Sequence, residues 1–408
     1  MTIVKDKQYY KFCFYGFLKN LRFFEAFFIL YLKQNGLSYT EIGSLYALRE
    51  IVTNLSEVPT GIFADTFGRK KALVLSFVAY IFSFVLFYTA NSYHWFLTAF
   101  LLYGLADAFR SGTHKAMIMD YLKLKTWSRQ KIAYYGYTRS CSQRGSALSA
   151  LIAGLIIFLT NNYRLIFLLS VLPYVLNLFL IWSYPNQLDR SVRQKHTSIK
   201  TGLRNLIKAL KSPTVWRIVH SAAVFTAYQK AVKDYIQPVM KQLAMALPVL
   251  LTLNKTDKIG LLIGVMYFVL YILTSKASRL SGILVKKIND APYTTLIFGF
   301  VAGTLGGLFY DRRLWGLSLL FFALIYIIES LRKPVLTGYL SDNVPNEILA
   351  SVLSAQSLYR TLLTSILAIM FGFLTDQLGL GMALVWTGII LLVLTFLIKK
   401  HPFSNSHK

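Results

Sequence analysis

The sequence predicts an all-α membrane protein whose twelve transmembrane helices form two pseudo-symmetric six-helix bundles. Three observations carry this expectation. The chain of 408 residues is 55% hydrophobic with a mean hydropathy of +0.50, too apolar for a soluble enzyme of this size. Its net charge of +27 sits between long apolar segments. Its two halves also repeat one another. In a soluble protein such a charge would suggest nucleic acid; here membrane topology accounts for it, and no nucleic-acid partner is expected.

A helix needs about 20 apolar residues to cross the hydrocarbon core. On that measure twelve spans begin near Tyr9, Ser38, Lys71, Tyr93, Lys131, Tyr163, Thr214, Lys258, Ala291, Arg313, Glu347 and Met382. Lys5, Lys7 and Lys11 precede or open the first. No small-residue cleavage site follows, so it reads as a retained span and not a signal peptide. Alternate connections are strongly basic: Arg69 to Lys71, then Lys115, Lys123, Lys125, Arg129 and Lys131, and later Lys276, Arg279, Lys286 and Lys287. The opposite connections hold little beyond Lys33, Arg164, Lys255, Lys258, Arg312 and Arg313. The positive-inside rule then puts both termini in the cytoplasm, as an even number of spans requires.

The longest polar connection runs from Pro185 to Pro213 and divides the chain into bundles 1–184 and 214–408. Within it Ile199, Leu203, Leu206, Ile207 and Leu210 share one helical face, and Lys200, Arg204, Lys208 and Lys211 share another. Such a segment is either a basic amphipathic helix on an anionic leaflet or a solvated linker. The halves align at a shift of 217 positions, which lays Ile42-Gly43 on Ile259-Gly260, Gly61 on Ser278, Asp65 on Gly282 and Arg69-Lys70 on Lys286-Lys287. A second match pairs Asp107-Ala-Phe-Arg110 with Glu329-Ser-Leu-Arg332. Two matches on corresponding spans point to a duplication.

Between spans two and three stands Gly61-Ile-Phe-Ala-Asp65-Thr-Phe-Gly68-Arg69-Lys70-Lys71. This Gly-x-x-x-Asp-x-x-Gly-Arg-Lys stretch resembles the signature loop of the major facilitator superfamily. Phe109 to Lys115 resembles the family's second motif in part, with Ser111-Gly112 where Gln-Gly is usual. The Ser-Gly-x-x-x-Ala pattern there, with Asp120 beyond it, resembles a bacterial subgroup of poorly assigned substrate. Gly145 to Gly154 departs from the Gly-Pro-rich pattern of the family's drug–proton antiporters. The resemblance implies two parallel repeats, a substrate held between them near the midplane, and alternating access. It implies that Gly61, Asp65, Gly68, Arg69 and Lys70 form a conformational latch. Asp65 would pair with Arg69 or meet a helix N-terminus from span eleven.

The spans carry many charges: Lys19, Arg22 and Glu25; Arg49, Glu50 and Glu57; Asp107 and Arg110; Arg139 and Arg144; Lys230, Lys233 and Asp234; Glu329, Arg332 and Lys333; and Arg360. An ionisable group inside the membrane is expensive and functional by default. Asp107 and Arg110 share a helical face at i,i+3, and Glu329 and Arg332 repeat the spacing. The resemblance puts spans one, four, seven and ten around a central cavity, which makes Arg110, Arg332, Arg22 and Lys230 candidate substrate contacts. Asp107, Glu329, Glu25 and Glu57 are candidate proton carriers. Either acid–arginine pair could equally be a self-satisfied salt bridge. Glu50, Asn54, Glu57 and Gly61 form a stripe on span two, the expected seam of the moving halves.

Basic groups outnumber acidic ones within the spans, which leans toward an anionic solute; Arg139, Arg144 and Lys333 could instead snorkel to headgroups. The expectation is a proton-coupled secondary transporter of a small anion in a bacterial-type inner membrane, monomeric, with membrane lipids around it. Efflux of amphiphilic drugs and a non-transporting receptor or scaffold on the same fold stand as alternatives. No nucleotide loop, metal-ligand cluster or catalytic triad stands out, so no cofactor and no enzyme activity are expected. Cys13 and Cys141 support neither a disulfide framework nor a metal site. The 26 Tyr and 30 Phe are expected mostly at lipid-facing or interfacial positions.

Overall fold

A computed structural model describes residues 4–127, 130–189, 213–248, 254–287, 291–344 and 346–398, and their regular structure is helical throughout. The basic segment expected around 199–210 lies outside the described residues. Span one consists of α1 (Lys7–Lys19), a 3-10 turn (Phe23–Ala26) and α2 (Phe28–Gln34). Then follow α3 (Tyr39–Phe67), α4 (Arg69–Thr89), α5 (Tyr93–Arg110), α6 (Thr113–Leu124), α7 (Lys131–Thr160) and α8 (Leu165–Trp182). Span seven consists of α9 (Pro213–Val232), a 3-10 turn (Lys233–Tyr235) and α10 (Ile236–Ala246). The chain continues with α11 (Lys255–Lys287), α12 (Ala291–Asp311), α13 (Trp315–Asn343), α14 (Asn346–Leu378) and α15 (Leu380–Ile398).

Every expected span start falls within about three residues of a helix start. Among the described residues, eight helices are long and apolar enough to cross a membrane: α4, α7, α8 and α11 to α15. Spans one, two, four and seven are not among them, and these spans hold Arg22, Arg49, Asp107 and Lys230. Span one is excluded by its break, which leaves helices of 13 and 7 residues.

The caps follow ordinary chemistry. Asp6 accepts from the Tyr9 amide at 2.8 Å and starts α1. Ser38 and Glu41 form a capping box: the Ser38 amide donates to Glu41 Oε2 at 2.7 Å, and the Glu41 amide donates to Ser38 Oγ at 3.1 Å. Between α3 and α4 the chain reverses at Gly68, whose φ of +111° suits glycine. At the aligned position of the second half stands Val285. A β-branched residue is a poor fit to positive φ, and α11 runs through it to Lys287.

The contacts group into two units. The first comprises Met1–Leu37, Leu48–Gln194 and Ala244–Tyr271; the second comprises Ser38–Ala47, Lys195–Leu243 and Ile272–Lys408. Within the first, α7 crosses the start of α11 at glycines. A Cβ on Gly154 would lie 2.8 Å from the Gly260 carbonyl, and one on Gly264 would lie 2.8 Å from the Ala150 carbonyl. Small residues that let backbones approach are a main source of helix adhesion in lipid, where no hydrophobic force separates helix from tail.

About half of the phenylalanines and tyrosines are buried, more than a mainly lipid-facing distribution would give. In the first unit Phe24 stacks on Phe167 (centroids 5.1 Å) and Phe28 stacks on Phe100 (5.3 Å), with Phe87 edge-on to Phe28 and Phe100. Flat rings fill the space around a broken helix that regular side-chain ridges would leave open.

The glycine crossing is testable. Gly264→Leu should lower the apparent melting temperature of the purified protein, by about 1–3 kcal/mol of overpacking. Gly316→Leu, where a side chain meets nothing within 4 Å, should leave it nearly unchanged.

Candidate functional site

Several charged residues of the first unit gather around two tyrosines, Tyr80 and Tyr103. The break after α1 turns Arg22 and Glu25 onto one side, where they pair at 3.2 Å. Arg22 also donates to Tyr103 Oη at 2.9 Å. From α5, Asp107 accepts from Arg110 at 2.8 Å and from the Tyr80 hydroxyl of α4. Arg110 Nε in turn donates to Tyr80 Oη at 2.9 Å. The rings of Tyr80 and Tyr103 meet edge-on at 5.2 Å, and the Arg49 guanidinium lies over Tyr103 at 5.6 Å. Arg49 pairs with Glu50 at 3.4 Å and its charge also acts on Asp107. Lys19 lies within electrostatic reach of Arg22, Arg110, Glu25 and Asp107, and its carbonyl accepts from Tyr174 Oη at 2.9 Å.

This cluster sets Arg22, Arg49 and Arg110 against Glu25, Glu50 and Asp107, with Lys19 beside them. Its side chains are partly open: Arg22 is 22% exposed, Glu25 25%, Asp107 19% and Arg110 25%. Among the described residues, Arg22 Nε is buried with no hydrogen-bond acceptor. Chemically, the arrangement offers forked donors and acids that can hold them neutral or take up a proton.

The second unit treats the corresponding pair differently. Arg332 is 1% exposed. It donates to the Pro292 carbonyl (2.5 Å), Thr295 Oγ1 (2.6 Å), the Ser221 carbonyl (3.0 Å) and Ser221 Oγ (2.9 Å), with its guanidinium 5.0 Å from the centre of the Phe225 ring. It thus ties α9, α12 and α13 together. Glu329 accepts from Thr226 Oγ1 at 2.9 Å and pairs with Lys333 at 3.5 Å. Matching spacing in sequence therefore gives an intrahelical Asp107–Arg110 bond in one unit and separate partners in the other. Lys230 is half-buried at the end of α9. Beside it the 3-10 turn carries Lys233 and Asp234, paired at 3.6 Å, and the Lys233 carbonyl accepts from Tyr326 Oη at 2.9 Å.

The latch residues are held by two acids. Arg69 forms its ion pairs with Asp120 of α6 and, at 3.8 Å, with Asp65. Asp120 also pairs with Lys123 at 3.6 Å. Asp189 accepts from the Lys70 amide at 2.8 Å, at the start of α4. Lys70 Nζ caps the far end of α8, donating to the carbonyls of Trp182 (2.6 Å) and Tyr184 (3.1 Å). A side chain on Gly68 would collide with the Asp189 carboxylate. Gly61 is open, with nothing within 4 Å of where a Cβ would sit. Glu57 accepts from Ser111 Oγ at 2.7 Å, which links α3 to the end of α5. No group of three or more His, Cys, Asp or Glu suited to a metal ion occurs among the described residues.

Sequence reasoning did not single out Tyr80, Tyr103 as a hydrogen-bond partner, or Asp189. Their only signal is polarity within or beside an apolar span, and tyrosine is too common here for that to select one. The Arg69 network gives a comparison. Asp120 is 15% exposed and Asp65 57%, so Asp120→Asn should lower the apparent melting temperature more than Asp65→Asn. The exposed pair contributes at most about 1 kcal/mol. Equal effects would overturn the ranking.

Comparison with known proteins agrees with this architecture. The family model for the Major Facilitator Superfamily matches residues 13–367. A Bacillus subtilis (strain 168) protein described as an uncharacterized MFS-type transporter, YxaM, is 22% identical over 372 residues, 91% of this chain and 89% of that protein. A Na(+), Li(+), K(+)/H(+) antiporter of Planococcus maritimus is 28% identical over 159 residues, 38% of this chain and 36% of that protein. Among solved structures, the nucleoside transporter NupG superposes with a TM-score of 0.78 at 11% identity, covering 97% of this chain and 100% of that one. A bacterial homolog of the human lysosomal transporter Spinster gives 0.73 at 14% identity, with 97% of each chain covered. At these identities the structural likeness concerns the fold. With the family model spanning most of the sequence, the chain belongs to the Major Facilitator Superfamily of transporters.

Proposed function

We propose that the protein is a secondary active transporter that moves a small anionic solute across the cytoplasmic membrane by alternating access, driven by protons. The observation that carries this reading is the partly open cluster of Arg22, Arg49 and Arg110, in which, among the described residues, Arg22 Nε is buried with no hydrogen-bond acceptor. Arg22 and Arg110 present forked donors suited to a carboxylate or phosphate. Asp107 keeps Arg110 neutralised while no solute is bound. Glu25, on the helix break beside Arg22, is the favoured proton carrier, with Asp107, Glu57 and Glu329 as the other candidates. Protonating Glu25 releases Arg22 toward the solute, which couples the two.

Arg332, with both terminal nitrogens engaged, serves in this reading as a tie between helices, and Lys230 is left as the cationic contribution of span seven. The Gly61–Lys70 loop acts as the latch, its Arg69 held by Asp120 and Asp65. The two bundles 1–184 and 214–408 are the moving bodies, the protein works as a monomer, and both termini face the cytoplasm. A second reading, cation–proton antiport, draws on the 159-residue similarity to the Planococcus maritimus antiporter. It would make Glu25 and Asp107 the essential groups and the arginines their regulators.

Thermal stabilisation of the purified protein by organic anions, phosphate esters, alkali cations and lipophilic cations distinguishes these readings. A bound solute at about 100-fold its Kd adds about 2.7 kcal/mol. Stabilisation by one class of anion, lost in Arg22→Gln combined with Arg110→Gln, is the expected result. Stabilisation by alkali cations alone would favour antiport, and stabilisation by lipophilic cations in both proteins would favour drug efflux.

A further inference from the structure

A groove of about 540 Å³ opens on the first unit, lined by Tyr10, Lys11, Cys13, Phe14 and Phe17 of α1, Cys141 and Arg144 of α7, and Leu180 of α8. Its volume lies within the range of about 300–1,000 Å³ usual for small-ligand sites. Its floor is aromatic and aliphatic, and two cations stand on it. Lys11 Nζ is anchored at one end, donating to the Ser183 carbonyl just beyond α8 at 2.7 Å. The Arg144 side chain is exposed, and among the described residues it forms no ion pair.

The groove opens on an exposed face of the first unit. Arg144 shares a helical stripe with Tyr137, Leu148, Leu155 and Leu159, at i−7, i+4, i+11 and i+15, all of them exposed. The face of α7 turned toward α1 is a different one, marked by Gly145 against the Phe17 carbonyl and by Ser142 against Gly16. Depth agrees with a headgroup role. Counting back about 20 residues from the end of α7 at Thr160 puts the hydrocarbon boundary near Cys141. Arg144 then lies about one turn inside it, and helical side chains lean toward the N-terminus, here the basic, cytoplasmic side. Lys11 and Leu180 belong to the cytoplasmic ends of α1 and α8, at the same level.

We propose that this groove is a binding site for an anionic phospholipid of the cytoplasmic leaflet, its phosphate held between Lys11 and Arg144 and an acyl chain lying over Phe14 and Phe17. Charge complementarity selects this occupant: an arginine at that depth with no protein acid needs an anion, and the inner leaflet supplies anionic headgroups joined to apolar chains. A zwitterionic lipid brings its own cation and is disfavoured. The inference rests on the membrane topology proposed above and is independent of the transported solute.

The test uses the full chain reconstituted in nanodiscs, with phosphatidylglycerol titrated into phosphatidylcholine and lipid retention read by native mass spectrometry and thermal melting. The expected result is one or more phosphatidylglycerol molecules retained in preference to phosphatidylcholine. The preference should fall at least 5-fold in Arg144→Gln and in Leu180→Trp, which fills the groove without changing charge, while Arg144→Lys keeps most of it. Because these two variants act by different means, a folding defect in one leaves the other informative. An unchanged preference in either folded variant would overturn the proposal. So would equal stabilisation by inorganic phosphate alone, which would mark a free-anion site. Loss of solute stabilisation in Arg22→Gln with Arg110→Gln, at unchanged lipid preference, separates failure of the transport reading from failure of this one.

Discussion

The structure depends on one constraint: a charge placed in hydrocarbon must be neutralised or hydrogen-bonded where it stands. Insertion scales put a single Arg, Lys or Asp at the centre of a helix at about 2.5–3.5 kcal/mol, and this chain places many such residues in its spans. Arg332 meets the constraint with two carbonyls and two hydroxyls from α9 and α12. Arg110 meets it with Asp107 and Tyr80. The first solution fills both terminal nitrogens and leaves the residue 1% exposed. The second leaves a quarter of the side chain open. Two arginines that look alike in sequence differ in what remains available to a ligand.

The same constraint explains where helices break. Span one is interrupted at Phe23–Ala26 and span seven at Lys233–Tyr235. Irregular backbone at membrane depth is tolerated only where protein or water satisfies its polar groups. In both places tyrosines help: Tyr174 donates to the Lys19 carbonyl ahead of the first break, and Tyr326 donates to the Lys233 carbonyl in the second. Both breaks also present an acid beside a cation, Glu25 by Arg22 and Asp234 by Lys233. A broken helix aims its flanking side chains along directions that a continuous one cannot.

Much of the fold was legible because it follows from length and hydropathy, which act through a uniform solvent. The spans beginning at Tyr93, Lys131 and Ala291 start at those residues. Partner choice was less legible. The resemblance leaves Asp65 either Arg69, four residues away, or a helix N-terminus from span eleven; Arg69 lies 3.8 Å from Asp65 and also pairs with Asp120, fifty-one residues on. Asp189 reaches the start of α4 from 119 residues away. Glu329 and Arg332 repeat the spacing of Asp107 and Arg110, yet packing sends them to Thr226, Lys333, Ser221 and Pro292. Spacing along one helix reports which side chains share a face, while the facing helix decides which of them meet.

The central claim is that the open cluster in the first unit takes the solute. The most direct measurement is counterflow of a radiolabelled stabilising anion into proteoliposomes preloaded with the same anion, comparing wild type with Arg22→Gln. Saturable counterflow in wild type, reduced by tenfold or more in the variant while the variant protein keeps its melting temperature, is the expected result. Undiminished counterflow in the variant would contradict the account and place the solute away from Arg22.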